Sequence, residues 1–286
     1  MGSTLRASRS WMRRVRTIHQ DYAGGGGWRL DEADAHPALA GLVLRYAGYE
    51  ERGGQPIMRN EWAVPHIPVI INFGDVFTIT DMATGTYQSF AAGLYDRPVT
   101  VASGGTARCL QVDLTPAGAQ LFFGQPLGPM VNRILSLEDI LGPPASRLID
   151  ELEAATSWSD RFDRLERALR IRIDRARPAP AFVSDAWGML QKSHGTASIE
   201  IVAGKLGCSR KHLASSFREH IGLSPKTAAR VIRFNTVLDG LRARRAFADI
   251  AFDCGYADQA HMIRECRAFT GLAPKQFAAQ FLSVTR

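Results

Sequence analysis

The spacing of apolar residues changes character along this 286-residue chain. Between about residues 28 and 114, short apolar runs alternate with turn signals at residues 74–75 and 103–105, and residues 109–114 alternate apolar and polar positions. This pattern predicts an antiparallel barrel or sandwich of short strands. After Thr115 the apolar residues recur three or four positions apart, which predicts helices for most of the remaining chain.

Two amphipathic segments follow the strands and precede a linker rich in proline. Their leucines are spaced to meet a helix of a second copy of the chain, or to pack on the barrel of their own domain. The segments carry Leu148, Leu152, Phe162, Leu165, Leu169 and Ile173. The predicted organisation is a basic arm at 1–20, a β-rich sensor or dimerisation domain with C-terminal helices at 21–176, a linker at 177–183 and a DNA-binding domain at 184–286.

The helical C-terminal part contains an internal repeat. Its first half keeps an offset of 48 positions, pairing Val202, Ala203 and Gly207 with Ile250, Ala251 and Gly255. Its second half keeps an offset of 49, pairing Leu213, Phe217, Gly222 and Pro225 with Met262, Cys266, Gly271 and Pro274. A repeat of this length predicts that one supersecondary unit occurs twice.

Each copy reads as a helix, a tight turn and a second helix. Gly207 can end the first helix in the left-handed conformation, and Ser209 can cap the next helix by accepting a backbone hydrogen bond. Asp258 is the equivalent cap in the second copy. The first helix is expected to pack through Ile201, Val202 and Leu206, and the second through Leu213 and Phe217 or through Met262, Cys266 and Phe269. A helix from Pro225 to about Arg242 joins the two units.

Charge separates the two halves of the chain. Residues 1–180 hold 20 basic and 20 acidic side chains, whereas residues 181–286 hold 15 basic and 8 acidic ones. All of the net charge of +7 therefore lies in the helical part, which favours a polyanion as its partner. The N-terminal arginines, which include Arg6, Arg9 and Arg13, are expected to belong to a frayed arm. No apolar run approaches about 18 residues, so no membrane span is expected and the predicted location is the cytoplasm.

The repeat resembles the DNA-binding domain of AraC-type transcription regulators. The resemblance covers about residues 184–282 and is carried by residues 249–259 (DIAFDCGYADQ), followed by Arg264, Phe269, Gly271, Pro274 and Phe277. It implies seven helices with two helix-turn-helix units, double-stranded DNA as a partner and, for an activator, RNA polymerase as another.

Candidate DNA-binding residues follow from the resemblance and from the outer faces of the second helices. The residues are Arg210, Lys211, Ala214, Ser215 and Arg218 in the first unit, and Gln259, Ala260, His261, Arg264 and Arg267 in the second. Ala214 and Ser215 are shorter than the polar side chains that the family often has there. Met262 and Cys266 replace its usual aromatic residues, which predicts a softer second unit.

The N-terminal part resembles the sensor domains of some members of this family. The resemblance rests on residues 68–75 (PVIINFGD), 113–122 (DLTPAGAQLF) and 137–142 (LEDILG), and it implies a cupin-like β-barrel followed by helices. The predicted fold class is thus α+β, with an all-α C-terminal domain. A small-molecule effector and a second copy of the chain are the partners considered for this domain, and the effector's identity stays open.

Three classes of function remain in view. The first, a ligand-responsive transcription regulator without enzymatic activity, cofactor or metal, explains the most residues. The second is a repair protein in which Cys109, activated by the neighbouring Arg108, accepts an alkyl group. The third is a protein-interaction module. His66 lacks the second histidine that a catalytic cupin would need, and the four cysteines are not spaced as metal ligands, which favours reduced, buried thiols.

Overall fold

The computed structural model describes residues 14–22, 26–81 and 84–284. Its N-terminal part is made of short strands, as predicted, and every strand pair among the described residues is antiparallel. The strands are β1 Val15–Asp21, β2 Gly27–Ala33, β3 Val43–Arg52, β4 Ile57–Glu61, β5 Ile67–Asn72, β6 Phe77–Thr80, β7 Gly85–Tyr87, β8 Phe90–Ala92, β9 Val99–Ser103, β10 Ala107–Leu114 and β11 Ile134–Ser136.

The described strands form two antiparallel sheets. The larger sheet has the order β1-β2-β3-β10-β5-β8-β11 and the smaller one the order β4-β9-β6-β7. The central strand β10 has Leu110, Val112 and Leu114 fully buried on one face, whereas Cys109 and Asp113 on the other face are also buried, so the strand is more buried than its alternating sequence predicts. Leu110 and Val112 lie opposite Gly48 and Tyr46 of β3, so these four residues share one face of the sheet.

Helices cover this apolar face. The helices of the N-terminal domain are α1 Pro116–Phe123, α2 Leu137–Leu141, α3 Pro144–Glu153 and α4 Trp158–Ile173. Helix α4 packs closely, because the ring of Phe162 stacks on Tyr46 at 5.8 Å between centroids. A Cβ atom on Gly48 would come within 2.3 Å of the Trp158 ring, so only glycine allows this approach.

Seven helices follow among the described residues, as the resemblance implies. They are α5 Ala181–Lys192, α6 Ile199–Lys205, α7 Arg210–His220, α8 Pro225–Arg242, α9 Phe247–Asp253, α10 Gln259–Thr270 and α11 Pro274–Val284. The long central helix α8 ends where the sequence predicts and buries Ala228, Val231, Phe234, Leu238 and Leu241. The α+β prediction, with a β-rich part followed by an all-α part, is confirmed. No described helix is both long and apolar enough to cross a bilayer.

Three boundary and packing predictions need correction. The arm predicted at 1–20 overlaps strand β1, whose backbone pairs with β2 along its whole length. Its side chains are almost all exposed, so the pattern of apolar positions gave no sign of a strand. Arg6, Arg9 and Arg13 lie outside the described residues. The linker predicted at 177–183 is shorter, because α5 begins at Ala181 and buries Val183.

The third correction concerns the leucines predicted to face a partner helix. Each is at most 7% exposed, because α3 and α4 pack against one another and α4 also packs on the sheet. The alternative stated for them, packing within their own domain, is what the structure has. The residues are Leu148, Leu152, Leu165 and Leu169.

Among the described residues, contacts between the two domains include two regions. After α1, the backbone N–H of Leu127 donates to the carbonyl of His220 at the end of α7, at 3.4 Å. Between β4 and β5, the ring of Trp62 packs edge-on against Phe277 of α11, at 5.0 Å between centroids. The side-chain amide of Asn235 on α8 donates to the carbonyl of the next residue, Ala63, at 2.8 Å.

Candidate DNA interface

The first helix-turn-helix unit is formed by α6 and α7. Gly207 takes the left-handed conformation in the turn (φ +65°), and the Ser209 hydroxyl accepts the backbone N–H of His212 at 3.1 Å. Both features are as predicted. Leu213 and Phe217 are fully buried, which fixes the face that α7 turns outward. The prediction that Ile201 packs inward is wrong, because this side chain is 57% exposed while its neighbour Val202 fills the core.

The second unit, α9 and α10, repeats the geometry of the first. Gly255 is left-handed (φ +68°), and the Asp258 carboxylate accepts the backbone N–H of His261 at 2.6 Å. Met262, Cys266 and Phe269 are buried, as predicted. Met262 and Cys266, which replace the family's usual aromatic residues, are therefore core residues. They fix the outer face of α10 in the same way as Leu213 and Phe217 fix that of α7.

The ten candidate DNA-binding residues lie on these two outer faces. Eight are exposed, whereas Ala214 and His261 are partly buried. His261 is held by an edge-on contact with the Tyr256 ring at 5.3 Å between centroids. The exposed residues are Arg210, Lys211, Ser215 and Arg218 on α7, and Gln259, Ala260, Arg264 and Arg267 on α10. Their contact with DNA stays a prediction.

The outer faces of α7 and α10 carry cationic side chains that no described carboxylate neutralises. Many other arginines of the chain pair with carboxylates, for example Arg242 with Asp239 at 2.8 Å and Arg45 with Asp113 at 2.6 Å. The described residues supply no ion pair for the cationic residues on the outer faces of α7 and α10, which are Arg210, Lys211, Arg218, Arg264 and Arg267. Unpaired cations on two exposed helices can attract phosphate groups.

An ionic cluster that the sequence analysis missed fastens α10 to α8. The buried carboxylate of Glu265 accepts hydrogen bonds from Arg230 and Arg233, each at 2.9 Å, and from the Tyr256 hydroxyl at 2.8 Å. Burial would raise the pKa of Glu265, but the hydrogen bonds from Arg230 and Tyr256 and the charge of Arg233 outweigh it and lower the pKa. The only available signal was an acidic residue beside the inward-facing Cys266.

The N-terminal domain has its own buried charge. Asp113 accepts the Arg45 guanidinium at 2.6 Å and the Gln111 amide at 2.7 Å. His66 Nε2 lies 3.5 Å from the same carboxylate, and burial lowers the pKa of His66 despite the attraction of Asp113. His66 is thus a partner of Asp113. The described residues contain no group of three or more His, Cys, Asp or Glu side chains that could hold a metal ion.

Cys109 does not have the environment of a reactive thiol. Burial raises the pKa of its thiol to about 12. The guanidinium of Arg108 lies over the ring of Phe73, at 5.6 Å from its centroid, and near Glu153. The expectation that Arg108 could activate Cys109 is therefore wrong, because neighbouring residues of a strand point to opposite faces of the sheet.

Comparison with known proteins supports the assignment of the helical domain. Residues 202–280 match a family model described as a helix-turn-helix domain. The match begins in α6 and ends in α11, so it spans both units. The prediction of an AraC-type helix-turn-helix domain in this region is confirmed. No curated protein matches the chain significantly.

Solved structures similar to this chain include ToxT from Vibrio cholerae O395, at 11% identity and a TM-score of 0.46, covering 82% of this chain and 97% of that one. Unsaturated fatty acid bound wild-type ToxT from strain SCE256 has 11% identity and a TM-score of 0.49, with coverage of 86% and 97%. The C-terminal domain of AraT, a response regulator from Geobacillus stearothermophilus, has 23% identity and a TM-score of 0.34, with coverage of 35% and 86%.

Proposed function

We propose that this chain, whose C-terminal region is an AraC-type helix-turn-helix domain, is a sequence-specific DNA-binding transcription regulator. The main support for the proposal is that the two helix-turn-helix units have the same geometry and that each exposes unpaired cations on its second helix. A rigid helix of 18 residues, about 27 Å long, lies between them. Two recognition helices held in this way can enter successive major grooves on one side of the duplex.

The two units are expected to contribute differently to recognition. Arg264 is exposed on α10 and can reach O6 and N7 of a guanine, which is worth about 1–3 kcal/mol of discrimination. On α7 the small side chains of Ala214 and Ser215 leave Arg210 and Lys211 as the main polar groups, which suits contacts with phosphates. Sequence preference should therefore depend more on the second unit than on the first.

Selection of binding sites from random DNA, followed by fluorescence anisotropy with the full chain, tests this proposal. Arg264→Ala should flatten the preference at one base position, and Lys211→Ala should weaken binding to all sequences alike. Arg242→Ala is the matched control, because Arg242 lies on α8 and pairs with Asp239. Absence of DNA binding by the folded chain at about 50 mM salt, where phosphate contacts are strong, would refute the proposal.

The N-terminal domain is proposed to sense a small molecule and to contribute to homodimerisation. Its contacts with α7, α8 and α11 support a sensing role, because they give the domain a means of acting on both units. Dimerisation would need a surface other than the four buried leucines. Light scattering on the full chain from 1 to 100 µM, with and without DNA, tests the dimer: a constant monomer mass in both conditions would exclude it.

RNA polymerase is proposed as a further partner and the cytoplasm as the place of action, since the chain must reach DNA. Activation of transcription is the proposed output. Catalysis is not proposed, and the buried thiol of Cys109 disfavours the repair alternative. The net charge of +7, which lies entirely in residues 181–286, favours a polyanion over a protein partner for this domain.

A further inference from the structure

Strand β1 forms an edge of the larger sheet, and no described strand pairs with its outer side. It has seven residues, whereas the strands at the other three described sheet edges, β4, β7 and β11, have five, three and three. Proteins usually protect sheet edges with short strands, bulges, prolines or lysines. β1 contains neither proline nor lysine, and its pairing with β2 is regular throughout. Its outer edge is therefore suited to pair with another strand.

The pairing with β2 determines which backbone groups of β1 point outward. The N–H of Tyr22 donates to the carbonyl of Gly26 at 3.0 Å, in the same register as the rest of the strand pair. Along an antiparallel pair, residues that bond across the ladder alternate with residues that do not. The even-numbered residues of β1 therefore bond to β2. The odd-numbered residues direct their N–H and carbonyl groups outward, and these are Val15, Thr17, His19 and Asp21.

The outward groups of β1 match those of an antiparallel second copy in one register. Residues that bond to each other must both be odd-numbered, so the two-fold axis passes through a residue of the strand. When the axis passes through the central residue Ile18, Val15 lies opposite Asp21 of the second copy. Thr17 then lies opposite His19. All four residues are matched, which gives roughly eight backbone hydrogen bonds. An axis through another residue of β1 leaves part of the strand unmatched.

The side chains favour the same register. Tyr49, Leu30 and Ile18 lie directly opposite one another on β3, β2 and β1, so they form a row across three strands. The row ends at the sheet edge on Ile18, which is 40% exposed. With the axis at Ile18, the row continues into the second copy and this side chain becomes covered. Arg16 lies opposite the neutral Gln20 in this register, so no like charges face each other.

We propose that β1 pairs with β1 of a second copy of the chain, antiparallel and centred on Ile18, so that the two larger sheets become one continuous sheet. This pairing specifies the surface of the homodimer proposed above, and its use in placing two DNA-binding domains on one site rests on the proposed function. Backbone hydrogen bonds supply the affinity in such strand addition. Two short strands bury less surface than a standard interface of about 1,600 Å², so we expect a weak dimer with a Kd of about 1–100 µM.

Cysteine cross-linking of the full chain tests the register. Ile18 is even-numbered and does not bond across the axis, so its two copies have Cα atoms about 4.5 Å apart, which suits a disulfide bond. Ile18→Cys should therefore form a covalent dimer when diamide is added as the oxidant. Arg16→Cys is the matched control on the same strand face, because its two copies lie more than about 13 Å apart. It should cross-link no more than the parent chain. Equal cross-linking of the two variants, or none in Ile18→Cys, would show that the register is wrong.

Light scattering of His19→Pro and His19→Ala provides an independent test, over the concentration range given above. The N–H of His19 points outward, so proline removes a bond to the second copy and none to β2, whereas alanine keeps both. His19→Pro should raise the Kd about tenfold or more, and His19→Ala should leave it unchanged. Both variants should melt like the parent, and the cross-linking result decides if His19→Pro does not.

The outcomes separate this inference from the proposed function. A dimer that forms equally well in His19→Pro and His19→Ala uses another surface, which overturns the pairing through β1 and leaves the proposed homodimer standing. A parent chain that stays monomeric at every concentration overturns both. DNA binding by such a monomer would still support the proposed regulator, whereas a β1-linked dimer that does not bind DNA would support the pairing and refute the regulator.

Discussion

The carboxylate of Glu265 meets the guanidinium of Arg233 through two hydrogen bonds of 2.9 Å, and this pair joins the second recognition helix to the long helix α8. Arg233 also lies over the ring of Tyr256, at 4.5 Å from its centroid. The orientation of α10 is therefore set by an ionic cluster as well as by the apolar residues Met262 and Cys266. Such a cluster specifies geometry, since its members must be satisfied together.

Glu265→Gln should destabilise the second unit, because it leaves Arg230 and Arg233 beside a neutral amide. We expect a loss of about 2 kcal/mol in the free energy of unfolding, the usual cost of leaving buried hydrogen-bonding groups poorly paired. Chemical denaturation measures this value. Glu219→Gln is the control, because Glu219 is exposed on α7. A loss of equal size in both variants would show that the cluster contributes nothing of its own.

The lowered pKa of Glu265 predicts how stability depends on pH. The carboxylate is stabilised in the folded state, so its contribution is fully present above the ordinary value of 4.5 and is lost as the pH falls through the lower folded value. The parent protein should lose more stability than Glu265→Gln between about pH 5 and pH 3. If the free energy of unfolding of the two proteins fell by the same amount over that pH range, the prediction would be contradicted.

His66 predicts a second pH effect at a higher range. Burial lowers the pKa of His66 below its ordinary value of 6.5, so below pH 6.5 the unfolded chain takes up a proton that the folded chain does not. Stability is therefore fully present above pH 6.5 and decreases as the pH falls towards the folded value. His66→Gln should remove this slope. Thermal melting of both proteins from pH 7.5 to 5.5 measures it, with His194→Gln as a control outside this buried cluster.

Gly207 and Gly204 should respond in opposite directions to the same substitution. Gly207 needs a left-handed backbone, so Gly207→Ala should cost about 1 kcal/mol although no atom would clash with the new methyl group. Gly204 lies inside α6 with open space around it, so Gly204→Ala should stabilise the protein by about 0.5–1 kcal/mol. Equal effects of the two substitutions would mean that backbone conformation does not govern this turn.

Trp62→Ala should release the helical domain from the N-terminal domain. The substitution removes the contacts with Phe277 and Phe281, and a loss of even about 1.4 kcal/mol of docking would raise the undocked population tenfold. Limited proteolysis at residues 174–180 should accelerate accordingly. Trp28→Ala is the control, because Trp28 stacks on Tyr49 within the N-terminal sheet. Unchanged cleavage in Trp62→Ala would place the main docking contact elsewhere.

Local signals allowed much of the helical domain to be predicted from the sequence. The caps Ser209 and Asp258 could be predicted, because a short polar side chain just before a helical apolar pattern is a local signal. The bounds of α8, Pro225 and Arg242, could also be predicted from nearby residues. The exposed faces of α7 and α10 could also be predicted, because the apolar positions of each helix identify its buried face. Their contacts with DNA remain predictions.

Features that depend on distant partners could not be predicted. Strand β1 exposes nearly every side chain, and its existence depends on pairing with β2. The packing of Trp62 on α11 joins residues more than 200 positions apart, and nothing near Trp62 in the sequence encodes it. The burial of Glu265 could not be predicted, because its neutralising partners Arg230 and Arg233 lie on another helix.

The two recognition helices have different N-terminal caps, so the electrostatic potential at their N-termini differs. Ser209 is neutral, so the positive end of the α7 dipole stays available beside Arg210 and Lys211. Asp258 brings a negative charge to the same place on α10 and largely cancels the dipole there. We therefore expect a duplex to be attracted more strongly to the start of α7 than to the start of α10. On this view the first unit makes the initial electrostatic contact, and the second unit engages afterwards.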